Sequence, residues 1–415
     1  MFTLSIQLRR IIQKSTNCIN TVRHLVVLGI ETSCDDTGIA ILTENGKVLG
    51  NVLNSQQKFH IRYGGIIPPR AEYLHRMKIV EVFERCLQEA QMAPEQLDAV
   101  AVTTRPGSCL PLSLIVGLRF AKHIARKYKK PLVPVHHMEA HGLQARMEQS
   151  IGYPFLCLLI SGGHCQLAFV RSPTEFALLG QALDDAPGEA FDKIARRLRL
   201  PLLPKYSYWN GGQAIEDAAK NALNPAAFEF PLPLAHYRDC NFSFAGIKNN
   251  AFRNIRNAER LQGTPPDGII HNYQDFCAGL LGAVSRHLMN RTQRALQFTL
   301  PWFEDGPRSL VVSGGVANND FIFEDLTHLA AHFDCQTYRP SKKYCSDNGA
   351  MIAWNGIEQI KQNASCLRWD YDELDVCGKA PLGVNMLDAV AQAKLKCKWI
   401  QASHWRKGCD NVIIA

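Results

Sequence analysis

The sequence predicts an α/β protein of two similar halves with a ligand cleft between them. At 415 residues the chain exceeds what one hydrophobic core usually organises and suffices for two lobes of ordinary size. The apolar, β-branched run 25–31 (LVVLGIE) passes through the polar turn 32–37 into a second strand-like run at 38–42, the pattern of a hairpin. The same arrangement returns at 155–170, where FLCLLIS passes the Gly162–Gly163 turn into CQLAFV. The second half thus begins as the first does.

The remaining elements follow from periodicity. A third strand-like run at 309–315 enters a glycine turn, and a helical pattern follows Asn318 and Asn319. Apolar residues three or four apart predict helices at 72–91, 112–127, 274–297 and 349–361. The stretch 201–240 carries Pro201, Pro204, Pro225, Pro231 and Pro233 and is expected to be an irregular insertion with one short helix near 213–222. The expected division is a leader over 1–24, a first domain over 25–150 completed by the helix near 349–361, a second domain over 151–348, and an extension over 362–415. After Pro381 the only legible feature is the basic stretch 395–399.

Composition excludes disorder and fibrous architecture, with 46% hydrophobic and 20% charged residues. No run of about 18 apolar residues predicts a membrane span. Residues 1–24 contain Arg9, Arg10, Lys14 and Arg23, several hydroxyls and no acid, and Leu4, Leu8, Ile11 and Ile12 fall at helical spacing. That is the composition of a mitochondrial transit peptide, with a plain basic tail as the alternative. Those four cations supply half of the net charge of +8, so the remaining chain does not by itself announce nucleic-acid binding. Fourteen cysteines include no C-x-x-C pair and read as small hydrophobes in a reducing compartment.

The chemistry concentrates in a few motifs. The glycine sites TSCDDTG (32–38), ISGGH (160–164) and SGGVANN (313–319) are expected to let backbone amides approach an anionic ligand. Any one of them alone is as easily just a turn. Together, in two similar halves, they resemble the actin, Hsp70 and sugar-kinase superfamily, in which two duplicated α/β domains grip a nucleotide. In HHMEAH (136–141) the pair His137/His141 is four residues apart, so on a helix both imidazoles face one way and can share a metal. Glu139 does not occupy the position that the metalloprotease pattern H-E-x-x-H requires. A third ligand is expected from Asp347, an acid in the glycine-terminated loop CSDNG that packing does not explain. Asp35 and Asp36 in the first turn are candidates for orienting a metal-bound water or accepting a proton.

Eight segments in order, GIETSCDDTG (29–38), YGGIIPP (63–69), HHMEAH, LISGGHCQL (159–167), DDAPGEAFDK (184–193), FSFAGIK (242–248), SGGVANN and CSDNGAMIAW (345–354), resemble the tRNA N6-adenosine threonylcarbamoyltransferases in their mitochondrial, single-protein branch. The resemblance implies two actin-like domains with an inter-domain nucleotide cleft, one divalent ion (iron or zinc) per subunit, and threonylcarbamoyl-AMP made by a separate synthase. It further implies a homodimer acting on tRNA in the mitochondrial matrix, without a membrane. His137, His141 and Asp347 match the family's metal ligands, and Leu159, Ile160, Ser161, Gly162 and Gly163 its phosphate and acyl loop. Asp192, Gly212 and Glu216 match residues that hold the nucleoside, and Asn318, Asn319 and Ser346 complete the nucleotide side. Gln213 stands where proline commonly follows the glycine pair, and Ser346 replaces a threonine. The implied reaction is transfer of the threonylcarbamoyl group to N6 of the adenine 3′ of the anticodon, position 37, in tRNAs reading codons that begin with A. Two other readings are an ATP-binding kinase or chaperone-like switch of the same superfold, and a non-catalytic tRNA-binding module. Two basic groups could contact tRNA phosphates: Lys122, Arg126, Lys127, Lys129 and Lys130, and separately Lys248, Arg253, Arg256 and Arg260.

Overall fold

A computed structural model describes residues 24–63, 65–105, 111–303 and 306–402; the expected leader, apart from His24, lies outside them. The chain runs β1 (Val26–Glu31), β2 (Asp36–Thr43), β3 (Val48–Ser55), α1 (Gln57–Arg62), α2 (Pro68–Ala90), β4 (Ala99–Arg105), α3 (Pro111–Tyr128), β5 (Leu132–His136) and α4 (His137–Leu143). It continues through β6 (Phe155–Ile160), β7 (Cys165–Ser172), β8 (Glu175–Gln181), α5 (Pro187–Arg197), α6 (Gly211–Ala219), α7 (Ala245–Gln262) and α8 (Tyr273–Thr299). β9 (Arg308–Ser313), α9 (Asp320–Ala331), β10 (Cys335–Tyr338), α10 (Gly349–Gln362), β11 (Val384–Asn385) and α11 (Leu387–Gln392) complete it.

Two sheets repeat one topology. The first has the order β3-β2-β1-β4-β5, with β2 antiparallel to both neighbours and β4 and β5 parallel to β1. In the second, β8-β7-β6-β9-β10 shows the same pairing, and β11 adds beside β8. The hairpins at the start of each half are therefore equivalent antiparallel pairs in two sheets of one topology.

Side-chain alternation sorts the strands into layers. In β6, Leu156, Leu158 and Ile160 enter the core under α5–α9, while Phe155, Cys157 and Leu159 face the opposite core, the period of two that a pleat imposes. That opposite core also holds Met138 and Ala140 of α4, Ala350 and Ala353 of α10, and Val27 and Ala40 of the first sheet. α4 and α10 thus occupy a middle layer between the sheets. The outer face of the first sheet packs on α2 and α3 through Leu28, Ile30, Ile79, Val82 and Ile124. The cysteines of the described residues are free and mostly buried.

Glycine lets α10 press onto the first sheet. A Cβ on Gly349 would lie 2.5 Å from the Ala40 amide nitrogen, and one on Gly38 2.7 Å from that of Gly349. One on Gly29 would overlap the Gly349 carbonyl oxygen. Gly38, read from sequence as part of a ligand loop, instead serves this helix–sheet contact, and the turn before it holds no ligand-facing glycine. Gly29→Ala is expected to lower the melting temperature by roughly 5 °C or more, because backbone atoms cannot move aside as a side chain would; thermal unfolding measures it.

The chain after α10 forms a strap across both sheets. Arg368 exchanges two backbone hydrogen bonds with Leu132 at 2.8 and 2.9 Å, and the Tyr371 hydroxyl donates to the Lys130 carbonyl at 2.9 Å. β11 then joins the second sheet, and the Gln293 amide donates to the Lys398 carbonyl at 2.8 Å. Asp372 pairs with Arg126, so the 122–130 basic cluster is partly consumed by this strap.

Candidate active site

β5 passes into α4 without a loop, which sets three histidines at one junction. His136 caps the helix: its Nδ1 accepts from the Met138 amide at 3.1 Å, so Nε2 carries the proton and donates to the Ala380 carbonyl of the strap at 3.1 Å. Burial pushes His136 down to about 4, which keeps it neutral. His137 and His141 lie edge to face one turn apart, both buried, with ring centroids 4.7 Å apart.

Asp347 comes to them because the N-cap residue of α10, Asn348, accepts from the Met351 amide at 2.9 Å and fixes the preceding loop. Its Oδ1 lies 3.0 Å from His141 Nε2 and 3.7 Å from His137 Nε2. The donor atoms of the three residues fall within 4.8 Å of one another, close enough to share one ion at roughly 2.0–2.2 Å. Behind His137 stands Glu31, fully buried, with Oε2 3.1 Å from His137 Nδ1.

The field here calls for a cation. Burial alone would lower His137, but Asp347 and Glu31 outweigh it and raise it to about 9. Burial would likewise raise Asp347, and the facing imidazoles His137 and His141 hold it well below the usual carboxylate range. One buried and one half-buried carboxylate beside two imidazoles suit a divalent ion of the zinc or iron type, whereas magnesium prefers oxygen ligands. His141 Nδ1 is buried without a hydrogen-bond partner.

The second sheet supplies the facing wall. The Ser161 amide donates to the His164 carbonyl at 2.9 Å and the His164 amide to Ser161 Oγ at 3.1 Å. This tight turn leaves Gly162 and Gly163 exposed, with open space where a Cβ would stand. The His164 ring lies 6.2 Å from that of His137, which places the glycine turn beside the histidine–carboxylate cluster. Burial, with His137 and His141 nearby, pushes His164 down to about 3. Leu159 and Ile160, by contrast, are buried strand residues in the two cores. Any part they take in the loop is therefore through their backbone.

Asp192, Gly212, Glu216, Asn318 and Asn319 extend this wall along three helix starts. A Cβ on Gly188 in the first turn of α5 would lie 2.9 Å from Gly162 Cα. Asp192 of α5 accepts from the Gly211 amide at 2.6 Å, next to Gly212 at the start of α6. Glu216 accepts from the Asp320 amide at 2.7 Å, and Asn319 caps α9 by accepting from the Ile322 amide at 3.0 Å. Asp192, Glu216 and Asn319 thus each have an internal partner. Asn318 Oδ1 is buried and unpartnered, and Ser346 is exposed on the loop before Asp347.

Asp35 and Asp36 occupy the first turn, which His75 of α2 supports: its ring accepts from the Thr37 hydroxyl at 2.7 Å and donates to the Cys34 carbonyl at 3.0 Å. Burial and the neighbouring Asp35 push Asp36 up to about 8, so at neutral pH it holds a proton and is a poor proton acceptor. Asp35 is raised by burial and by Asp347. The folded chain keeps an Asp36 proton that the unfolded chain, near 3.8, releases. Stability should therefore fall as pH rises from about 4 to about 8. Asp36→Asn is expected to flatten that slope in chemical denaturation across the range.

Sequence reasoning did not single out Glu31, His75 or His164. Glu31 left a signal, an acid ending the otherwise apolar strand VVLGIE; His164 directly follows the glycine pair. A cavity of about 450 Å³ lined by Arg146, Tyr153, Trp354 and Glu358 contains none of these residues. That cavity lacks converging metal-binding donors.

Comparison with known proteins gives this geometry its context. A family model described as tRNA N6-adenosine threonylcarbamoyltransferase matches residues 47–354. The chain belongs to this family. A relative from Drosophila melanogaster named "Probable tRNA N6-adenosine threonylcarbamoyltransferase, mitochondrial" is 64% identical, covering 90% of this chain and 93% of its own. A Homo sapiens protein named "tRNA N6-adenosine threonylcarbamoyltransferase, mitochondrial" is 42% identical, covering 90% of each chain. The crystal structure of T. kodakarensis HypF superposes with a TM-score of 0.52 at 13% identity, over 85% of this chain and 49% of that one. The fold is actin-like, and the chain is a threonylcarbamoyltransferase acting on tRNA adenosine. Membership sets aside both the kinase or chaperone-like switch and the non-catalytic tRNA-binding module.

Proposed function

We propose that His137, His141 and Asp347 hold one zinc or iron ion, and that the threonylcarbamoyl adenylate lies between this cluster and the Ser161–Gly163 turn. The single observation that carries the reading is the convergence of the three donors within 4.8 Å, 6.2 Å ring to ring from His164 of the glycine turn. The lobes that close on the substrate are residues 25–150 with 349–361, and 151–348. When bound, the ion supplies Lewis acidity at the phosphate or carbonyl oxygen.

The chain's own residues do the rest. The exposed Gly162–Gly163 turn lets substrate oxygens approach the backbone, and its amides stabilise charge developing on the carbonyl. The adenine N6 amine attacks the carbamate carbonyl, the tetrahedral centre collapses, the carbonyl–phosphate oxygen bond breaks, and AMP leaves. Asp35 is the better-placed acceptor for the amine proton, since Asp36 holds its own at neutral pH. Asp192, Gly212, Glu216, Asn318, Asn319 and Ser346 bound the nucleotide side.

The target is the anticodon-loop adenine at position 37, a base that single-stranded loops present unstacked. The names of the relatives support a mitochondrial location, and among the described residues no helix is long and apolar enough to cross a membrane. A homodimer fed by a separate synthase completes the reading. Incubating the pure protein with threonylcarbamoyl-AMP and unmodified tRNA, followed by nucleoside analysis, is expected to yield N6-threonylcarbamoyladenosine. Unmodified nucleosides alone would sink it.

A further inference from the structure

The residue behind the histidine pair carries more than charge. Glu31 closes β1, and its neighbours are the ends of adjacent strands and turns: Oε2 accepts from Thr103 Oγ1 of β4 at 2.7 Å, and Oε1 accepts from the Ser33 amide. Glu31 is wholly buried, and with two donors on its oxygens the carboxylate cannot turn away. Its third neighbour is His137 Nδ1 at 3.1 Å.

A neutral imidazole has one nitrogen that donates and one that accepts. A carboxylate can only accept, so a proton on Nδ1 satisfies this contact and a lone pair on Nδ1 would be repelled by it. Ser33 Oγ, 3.1 Å from the same nitrogen, can act either way and does not decide. Held by Glu31, His137 keeps a proton on Nδ1 whatever its charge, so the proton an ion would displace is the one on Nε2, on the side of Asp347, 3.7 Å away. His141 has no such partner: its Nδ1 is buried and unpaired.

We infer that Glu31 is a positioning residue that sets the tautomer and ring orientation of His137, making that histidine the pre-organised ligand of the pair. The inference rests on the metal-site reading above. An outer carboxylate of this kind both orients the ring and raises ligand basicity, and its loss typically costs about 10–100-fold in metal affinity. The sequence position agrees with the role. Glu31 lies at the carboxyl end of a central strand, where α/β sheets hold their ligand sites.

The test is metal affinity rather than turnover. Full-length protein stripped of metal is titrated with Zn²⁺ against a chromophoric chelator, comparing wild type, Glu31→Gln, Glu31→Asp and His137→Ala, with thermal unfolding of each apo-protein as the control for folding. Glu31→Gln keeps size and polarity but no longer demands a proton on Nδ1, so a loss of about 10–100-fold in Zn²⁺ affinity is expected. Glu31→Asp retains the carboxylate and should recover part of that loss. In the Co²⁺-substituted proteins, the visible ligand-field bands of Glu31→Gln should shift from those of wild type, a change that mere destabilisation would not produce. Unchanged Zn²⁺ affinity and Co²⁺ spectrum in Glu31→Gln, while His137→Ala binds poorly, would overturn the role of Glu31 and leave the metal site standing. Tight Zn²⁺ binding by His137→Ala would instead overturn the metal-site reading itself.

Discussion

His137→Ala and His141→Ala are each expected to lose stoichiometric metal and nearly all threonylcarbamoyl transfer while remaining folded. Each removes one of three donors that converge within 4.8 Å, so the loss should exceed the roughly 10–100-fold that follows removal of an outer hydrogen-bond partner. Folding should survive because Glu31 keeps the Thr103 hydroxyl and the Ser33 amide as donors, and Asp347 is only partly buried. The two variants should differ in a telling way: His137→Ala strands Glu31 without its partner, whereas His141→Ala removes a ring whose Nδ1 has none. His137→Ala is therefore expected to be the less stable of the two. Metal analysis with thermal unfolding checks both statements, and full occupancy with normal turnover in either variant would reduce the pair to ordinary buried histidines.

Reversing Arg253 and Arg256 to glutamate is expected to weaken tRNA binding on the order of 10- to 100-fold at 0.1 M salt and to lower the salt slope by about two. The structure refines which residues matter. Lys248 is spoken for, since it pairs with Asp185, which also holds Lys193. Glu259, the acid that the sequence sets among these cations, turns to Arg197 at 2.7 Å and Arg199 at 3.3 Å. Arg253, Arg256 and Arg260 then project from exposed positions of α7, and among the described residues no acid is ion-paired with them. Beside Arg253, a cavity of about 250 Å³ is lined by Pro231, Pro233, Asn249 and Asn250. Filter binding over a salt series measures the effect, with adenylate binding unchanged. A double variant that keeps both affinity and slope would move the tRNA surface elsewhere.

The hairpins that open each half and four helices were legible because period-two and period-3.6 patterns are local, and those four helices fell within a few residues of their observed ends. The duplication was visible in the repeated hairpins. The stretch after α10 was not, because a strap held by single bridges and very short pairings leaves no hydrophobic period. Gly38 was misread for a related reason. A glycine required by a helix pressing from 300 residues away looks, in sequence, like a glycine required by a ligand.

By itself the sequence determined the hairpins that open each half, the main helices, the actin-like plan, the membership in a transferase family and the i, i+4 histidine pair. Those follow from local periodicity and from motifs whose spacing is carried along the chain. Only the tertiary structure decided that Asp347 meets the pair, that His136 is a cap held by the strap, that burial and Asp35 push Asp36 up, and that the side chains of Leu159 and Ile160 belong to the cores. It also decided that Glu31 stands behind His137. Each of these depends on burial and on atoms brought within about 3–4 Å across 70 to 250 residues of chain, and the electrostatics of a buried group are set by whichever neighbours the fold supplies.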